Sequence, residues 1–302
     1  MGPAGADIGV ADPGRRVPPS HPARRGHCPG QPVGRTDGLV RRGDLPMRPV
    51  YALLAKELRS AFVSPIVYVV GAVFLLVFGF LSYVAVSAAS ARAIQLMQIQ
   101  GAAATLNLND LVFRPTFHSS AILLLLVVPI LTMRVFAEER KLRTFELLMT
   151  SPIGLNEIVT AKFLGVYTIF LALLALTGIV PLILAVYSSF DWNPVFTGYL
   201  GLALLGGLFV ATGVFASAVT ENQIVAAFLS FGILILFWLL GAFGSLLGDT
   251  PAGNTISYLS FIEHIDRFVR GLIDTKDLVY FVSGIVLMLF LTYRVVESQR
   301  WK

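Results

Sequence analysis

Phe163–Phe190 reads FLGVYTIFLALLALTGIVPLILAVYSSF, a run of 28 residues without one charge. As a helix it would extend about 42 Å at 1.5 Å per residue, more than the ~30 Å hydrocarbon core of a bilayer. A helix on the surface of a water-soluble domain shows one apolar stripe and one polar face. This run is apolar on every side, so it reads as a membrane span. Five more charge-free stretches follow the same pattern: Ser60–Ala91, Pro115–Met133, Trp192–Thr220, Asn222–Gly248 and Leu278–Tyr293. Within these stretches six spanning helices are predicted at roughly 66–89, 117–134, 163–187, 197–219, 223–247 and 277–296. Pro129 and Pro181 fall inside spans, where neighbouring helices can satisfy the carbonyls that a proline frees.

Composition agrees with the spans. Of 302 residues, 56% are hydrophobic and only 14% charged, against about 25% charged in a soluble domain. That excludes an ordinary soluble enzyme. The single cysteine, Cys28, excludes a disulfide framework and a cysteine-based metal or iron–sulfur site. Residues 1–46 differ from the rest. They hold nine Gly, eight Pro and seven Arg and few large apolar residues, a composition that does not form a core. They read as a disordered tail, or as an upstream mis-called start with Met47 as initiator, and we expect the latter. A basic tail on anionic lipid or nucleic acid is the other reading. No nucleic-acid partner is expected. Residues 47–302 read as one six-span domain.

An even number of spans puts both termini on one side of the membrane. With the termini inside, the inner segments beyond Met47 carry eleven Lys/Arg and the outer segments five, which satisfies the positive-inside rule. The expected location is therefore the cell (inner) membrane, with both termini cytoplasmic.

The chemistry that is missing narrows the function. The spans hold almost no ionisable residues, whereas an ion-coupled carrier needs buried carboxylates or broken helices around an ion. His118, at the outer edge of the second span, reads as an interfacial histidine. Glu221-Asn222 reads as the cap of the fifth helix. No lysine follows a glycine, so the chain has no P-loop to cradle nucleotide phosphates. No catalytic, cofactor-binding or metal-ligating residues stand out. If the protein does work, its energy comes from another subunit.

Three amphipathic segments lie outside the spans. Met47–Phe62 reads as an interfacial helix, with Leu53, Leu54, Leu58 and Ala61 at helical spacing and Lys56 and Arg59 set apart. Arg134–Lys162 is longer than a plain connector and dense in both charges. Its Leu142, Phe145, Leu148 and Met149 can share one helical face, and Ser151-Pro152 stops that helix. A second helix is expected to start over Leu155–Lys162. Such a segment either docks into a partner's groove or lies on the membrane with its charges solvated, and the residues alone leave both open. Asn254–Asp277 carries a third stripe: Tyr258, Phe261, Ile262, Ile265, Phe268, Val269 and Leu272. It is expected in the outer headgroup layer or dipping into the membrane, with Arg270 off the stripe.

The run from Phe136-Ala137-Glu138-Glu139 to Thr144-Phe145-Glu146-Leu147-Leu148-Met149-Thr150-Ser151-Pro152 resembles the signature loop of type-two ABC transporter permeases. In that family the loop between spans two and three carries an acidic pair, a Gly-Thr, a Glu-Leu-Leu and a Ser-Pro, and forms a coupling helix seated on the ATPase subunit. The matching positions are Glu138, Glu139, Thr144, Glu146, Leu147, Leu148 and Pro152. Arg143 departs from the pattern where the family usually has Gly, and a helical Arg is expected to be tolerated there. Leu54-Ala55-Lys56-Glu57-Leu58 with Ser64-Pro65 is similar to the family's elbow helix. Phe268 to Tyr280, with Arg300-Trp301, resembles the gliding-motility-associated subgroup.

The resemblance implies an all-α integral membrane protein with six transmembrane helices, an elbow helix, a cytoplasmic coupling helix and an outer amphipathic helix. It implies a permease subunit of an ABC transporter, paired with a second permease subunit as homo- or heterodimer and driven by an ATP-binding subunit. ATP and Mg would be bound there and no cofactor in this chain. Leu147 and Leu148 would fill the partner's groove, with Glu139 and Glu146 at its rim. Export is the expected direction, and the outer helix leaves room for an auxiliary extracytoplasmic subunit. A non-transporting membrane scaffold that anchors a protein complex through the same loop is the alternative reading.

Overall fold

The computed structural model describes residues 47–100, 107–143, 154–248 and 250–299. The tail 1–46 and the loop positions Thr144, Glu146, Leu147, Leu148 and Pro152 lie outside the described residues, as does Arg300-Trp301.

Helix α1, Met47–Val63, ends at Ser64, and α2 runs from Pro65 to Gln100. Proline disfavours helical backbone in the residue before it but suits the first helical position, so Ser64-Pro65 separates the two. The α2 helix outlasts its predicted end at 89, because the Ala-rich stretch beyond Val86 keeps a strong helix propensity outside the apolar run. A π-turn over Asn109–Phe113 leads directly into α3, Arg114–Thr132, which absorbs Pro129 without breaking. The short α4 covers Ala137–Lys141.

Helix α5, Leu155–Thr177, begins eight residues before the predicted span at 163. The helix expected to start over Leu155–Lys162 does so and runs on into span three. That span turns at Gly178 and resumes as α6, Ile179–Tyr187, with Pro181 three residues past the turn. Helices α7, Trp192–Val219, and α8, Gln223–Leu246, follow the predicted fourth and fifth spans. The outer segment forms two short helices, α9 over Pro251–Leu259 and α10 over Phe261–Val269, and α11 covers Thr275–Gln299.

Among the described residues, six helical stretches are long and apolar enough to cross a membrane. They are not equivalent. In the most apolar part of span four 72% of residues are buried, and 67% in span two, against 17% in spans five and six. Spans two and four therefore form the core, and spans one, three, five and six present apolar side chains outward, among them Leu76, Phe80, Phe228 and Phe290. In lipid such exposure carries no penalty.

The centre of the bundle is α7, which packs on α3, α5, α8, α10 and α11. Its glycines make this possible. A Cβ at Gly206 would enter the ring of Phe170 on α5, and one at Gly213 would collide with Thr132 on α3. Where hydrocarbon surrounds the protein, close backbone approach through small residues replaces the hydrophobic drive.

The loops alternate between two faces. Arg140 donates to the Ala218 carbonyl and pairs with Glu221, and Gln299 donates to the same carbonyl, so the 2/3 loop, the 4/5 turn and the end of α11 share one face with α1. On the opposite face Arg114 and His118, at the start of α3, bind Asp266 of α10.

The outer segment departs from its expectation. Ser260, in extended conformation, divides it and accepts the Ile262 amide with its hydroxyl. Phe261, Ile265, Phe268 and Val269 are buried against the bundle, with Phe261 edge-on to Phe209 and Phe268 beside Gly201. The stripe is thus a protein contact and not a headgroup-layer face. Only its ends, Tyr258 and Leu272, are exposed.

Candidate functional site

The site lies where α1, α4 and α5 meet. Lys162 sits two turns into α5, and its side chain is 1% exposed. Its ammonium lies 3.1 Å from Glu57 Oε1 on α1 and 2.8 Å from Glu139 Oε1 on α4. It also donates to the Val135 carbonyl at 3.0 Å and lies 5.2 Å from the centre of the Phe136 ring. A buried charge persists only when paired and hydrogen-bonded, and here three elements supply the partners. Lys162 corrects the reading of the spans as nearly free of ionisable groups. The lysine was placed in the loop because the charge-free run starts at Phe163, but the helix continues through it.

A second junction fixes the start of the loop. Phe136 and Ala137 are fully buried. Their amides open α4, and Phe136 offers no side-chain oxygen as a cap. Ser217 of α7 fills that role: its hydroxyl accepts both amides, at 3.0 and 3.1 Å, and donates to the Met133 carbonyl at 3.1 Å. Arg140 extends the junction by donating to Ala218 O at 2.8 Å. Nothing in the sequence marks Ser217; it is one small residue among many in an apolar helix.

The acidic pair divides its partners. Glu138 pairs with Arg134 one turn earlier, at 3.2 Å, while Arg134 also donates to Ser64 at the joint of α1 and α2. Glu139 turns inward to Lys162, so its carboxylate serves the chain's own packing where a rim contact was expected. Glu57, predicted on the elbow helix, joins the same cluster, and Leu58 packs against the core. Lys56 is exposed.

Of the expected loop helix around Glu139–Leu148 only the part up to Arg143 is described; Phe145, Leu148 and Met149 lie outside the described residues. Residues 133–136 form turns, α4 closes at Lys141, and Arg143 takes φ +56°. The expected helical Arg143 is therefore corrected. It adopts the left-handed conformation that suits glycine and costs other residues about 1–2 kcal/mol. Leu142 is left 64% exposed at the surface beside it.

On the opposite face, His118 joins an ion cluster. Asp266 Oδ1 takes Arg114 at 3.0 Å and His118 at 2.9 Å, and Oδ2 takes Arg270 at 2.6 Å. Burial alone would raise the Asp266 carboxyl, but hydrogen bonds from His118, Arg270 and Arg114 outweigh it and hold it below its ordinary value. His264 and Asp277, both fully buried, meet at 2.6 Å and tie α10 to the start of α11. Asn222 caps α8 through Ile224 N as expected, while Glu221 pairs with Arg140 instead of capping.

None of the curated proteins compared with the chain matches it. A family model described as ABC-2 family transporter protein matches residues 51–298, from within α1 to the end of α11, and so takes in all six spans and the loop junctions. The chain is a multi-pass membrane protein, and it belongs to the ABC-2 family of transporter proteins.

Proposed function

We propose that the chain is the permease subunit of an ABC transporter, and that the segment Arg134–Lys162 receives the stroke of a separate ATPase subunit. The observation that supports this most directly is the rooting of α4. Ser217 and Arg140 join it to span four, and Glu139 joins it through Lys162 to span three and to α1. A push on the loop is thereby shared among three elements of the membrane domain, as a mechanical input requires. A floating connector would show none of these bonds.

On this reading ATP and Mg are bound by the partner, and both termini and the 2/3 loop face the cytoplasm across the inner membrane. The apolar faces of spans one, five and six receive lipid and a second permease subunit, with the pathway between the two. Export is the proposed direction, and the gliding-motility-associated subgroup is the proposed place within the family.

The test is Leu147→Asp. It should release the ATPase on co-purification while leaving membrane insertion intact, because the loop is not a span. An apolar anchor at such an interface contributes roughly 2 kcal/mol or more, about 30-fold in affinity. Retained ATPase and retained stimulation of its hydrolysis would refute the reading.

A further inference from the structure

A cavity of about 290 Å³ opens beneath α1, between the ends of spans one, two and three. That is close to the ~300 Å³ lower end of small-ligand sites, the size of a headgroup more than of a whole lipid. Its polarity is graded. Lys56, Ser60 and Arg134 line the end nearer the loop, and Val67, Leu131 and Ile169 line the part that faces into the spans. The flanking end of α1 exposes Phe62 and Val63, apolar residues that settle in the acyl boundary of a bilayer. The cavity therefore lies at headgroup depth and continues into the hydrocarbon.

Its charges are arranged as well as graded. The lining cations are Lys56, Arg134 and Lys162 and the lining anions Glu57, Glu138 and Glu139, so the formal sum is zero. Lys162 and Arg134 are engaged within the chain. Lys56 forms no ion pair among the described residues, and Ser60, one turn further on α1, lines the cavity beside it. Those two donors suit a phosphodiester. Glu57 gives Lys162 only Oε1, and its Oε2 is an acceptor for an ammonium with N–H bonds.

We propose that this cavity binds one glycerophospholipid with a zwitterionic, primary-amine headgroup. The phosphate rests on Lys56 and Ser60, the ammonium on Glu57, and an acyl chain runs along Val67, Leu131 and Ile169. The lipid would wedge α1 against spans two and three beside the Lys162 cluster. This site is independent of any ATPase.

The test uses the full-length permease, purified and delipidated in detergent, with bound lipid counted by native mass spectrometry and stability followed by thermal unfolding. Phosphatidylethanolamine should be retained and should raise the melting temperature more than phosphatidylcholine, which lacks the N–H donors, or phosphatidylglycerol, which lacks the cation. Lys56→Ala and Ser60→Ala should each weaken phosphatidylethanolamine retention about tenfold, the size of one charge-assisted hydrogen bond. Lys56 and Ser60 are exposed, so both variants should fold normally. Glycerophosphoethanolamine, the headgroup without acyl chains, should be ineffective at the same concentration. Equal retention of the three lipids, retention unchanged in both variants, or equal stabilisation by the chain-free headgroup would overturn the proposal.

Discussion

Lys162 shares one ammonium between two carboxylates, at 3.1 and 2.8 Å, and that sharing gives a signature in a mutant cycle. In Glu57→Gln the ammonium keeps Glu139, and in Glu139→Gln it keeps Glu57, so each single change should cost about 1–2 kcal/mol. The double variant leaves a side chain that is 1% exposed without a counter-charge, on the Val135 carbonyl, the Phe136 ring and two neutral amide oxygens. An uncompensated buried charge costs about 3–5 kcal/mol. The double variant should therefore exceed the sum of the singles by about 1 kcal/mol, within the usual range for residues in one network. Lys162→Met should fall near the lower end, about 3 kcal/mol, because the two orphaned carboxylates are each 21% exposed and can take up water. The assay is reversible unfolding in mixed micelles, all variants at one detergent ratio. Additivity within about 0.5 kcal/mol would show that the ammonium is not shared, and with it would fall the argument that α1, α4 and span three are joined through Lys162.

Arg143→Gly should stabilise the protein by about 1 kcal/mol in the same unfolding assay, because glycine takes φ +56° freely. A destabilising result would mean that the Arg143 side chain makes a contact worth more than the strain. Ser217→Ala should cost about 1–3 kcal/mol, since it orphans the buried Phe136 and Ala137 amides, and hydrogen exchange at those two amides should rise. The Asp266 cluster predicts an acid limb. A carboxyl held below its ordinary value of 3.8 contributes stability that is complete above that value and is lost as pH falls through the lower folded one. Stability measured from pH 6 downward should show this limb in the parent and lack it in Asp266→Asn, and superimposable profiles would refute it.

The spans were legible because their signal is composition, and composition survives without tertiary context. Helix ends were less so. The charged Lys162 and Glu157 made the start of span three look like loop, yet burial against α1 keeps Lys162 helical and inside. The outer stripe of Phe261, Ile265 and Phe268 was read correctly as one face. Its partner is not legible, since a stripe that meets Gly201 on α7 has the same period as one that meets lipid. At the candidate site the acidic pair was visible as a pair, but which acid turns inward depends on Lys162, more than twenty residues away. Ser217 carried no signal at all: its role exists only because α7 ends beside two buried amides.

The turn at Gly178 divides span three into a tightly packed part and a lightly packed one. Below it, α5 is held by the Lys162 cluster and by Phe170 against Gly206. Above it, Pro181 is buried and Leu184 packs against the core, while Leu182, Val186 and Tyr187 are exposed. Force entering at the loop would travel stiffly along α5 and reach a joint before the far leaflet. The part of this span beyond Gly178 is then gripped more lightly by the protein than the part before it, through Pro181 and Leu184.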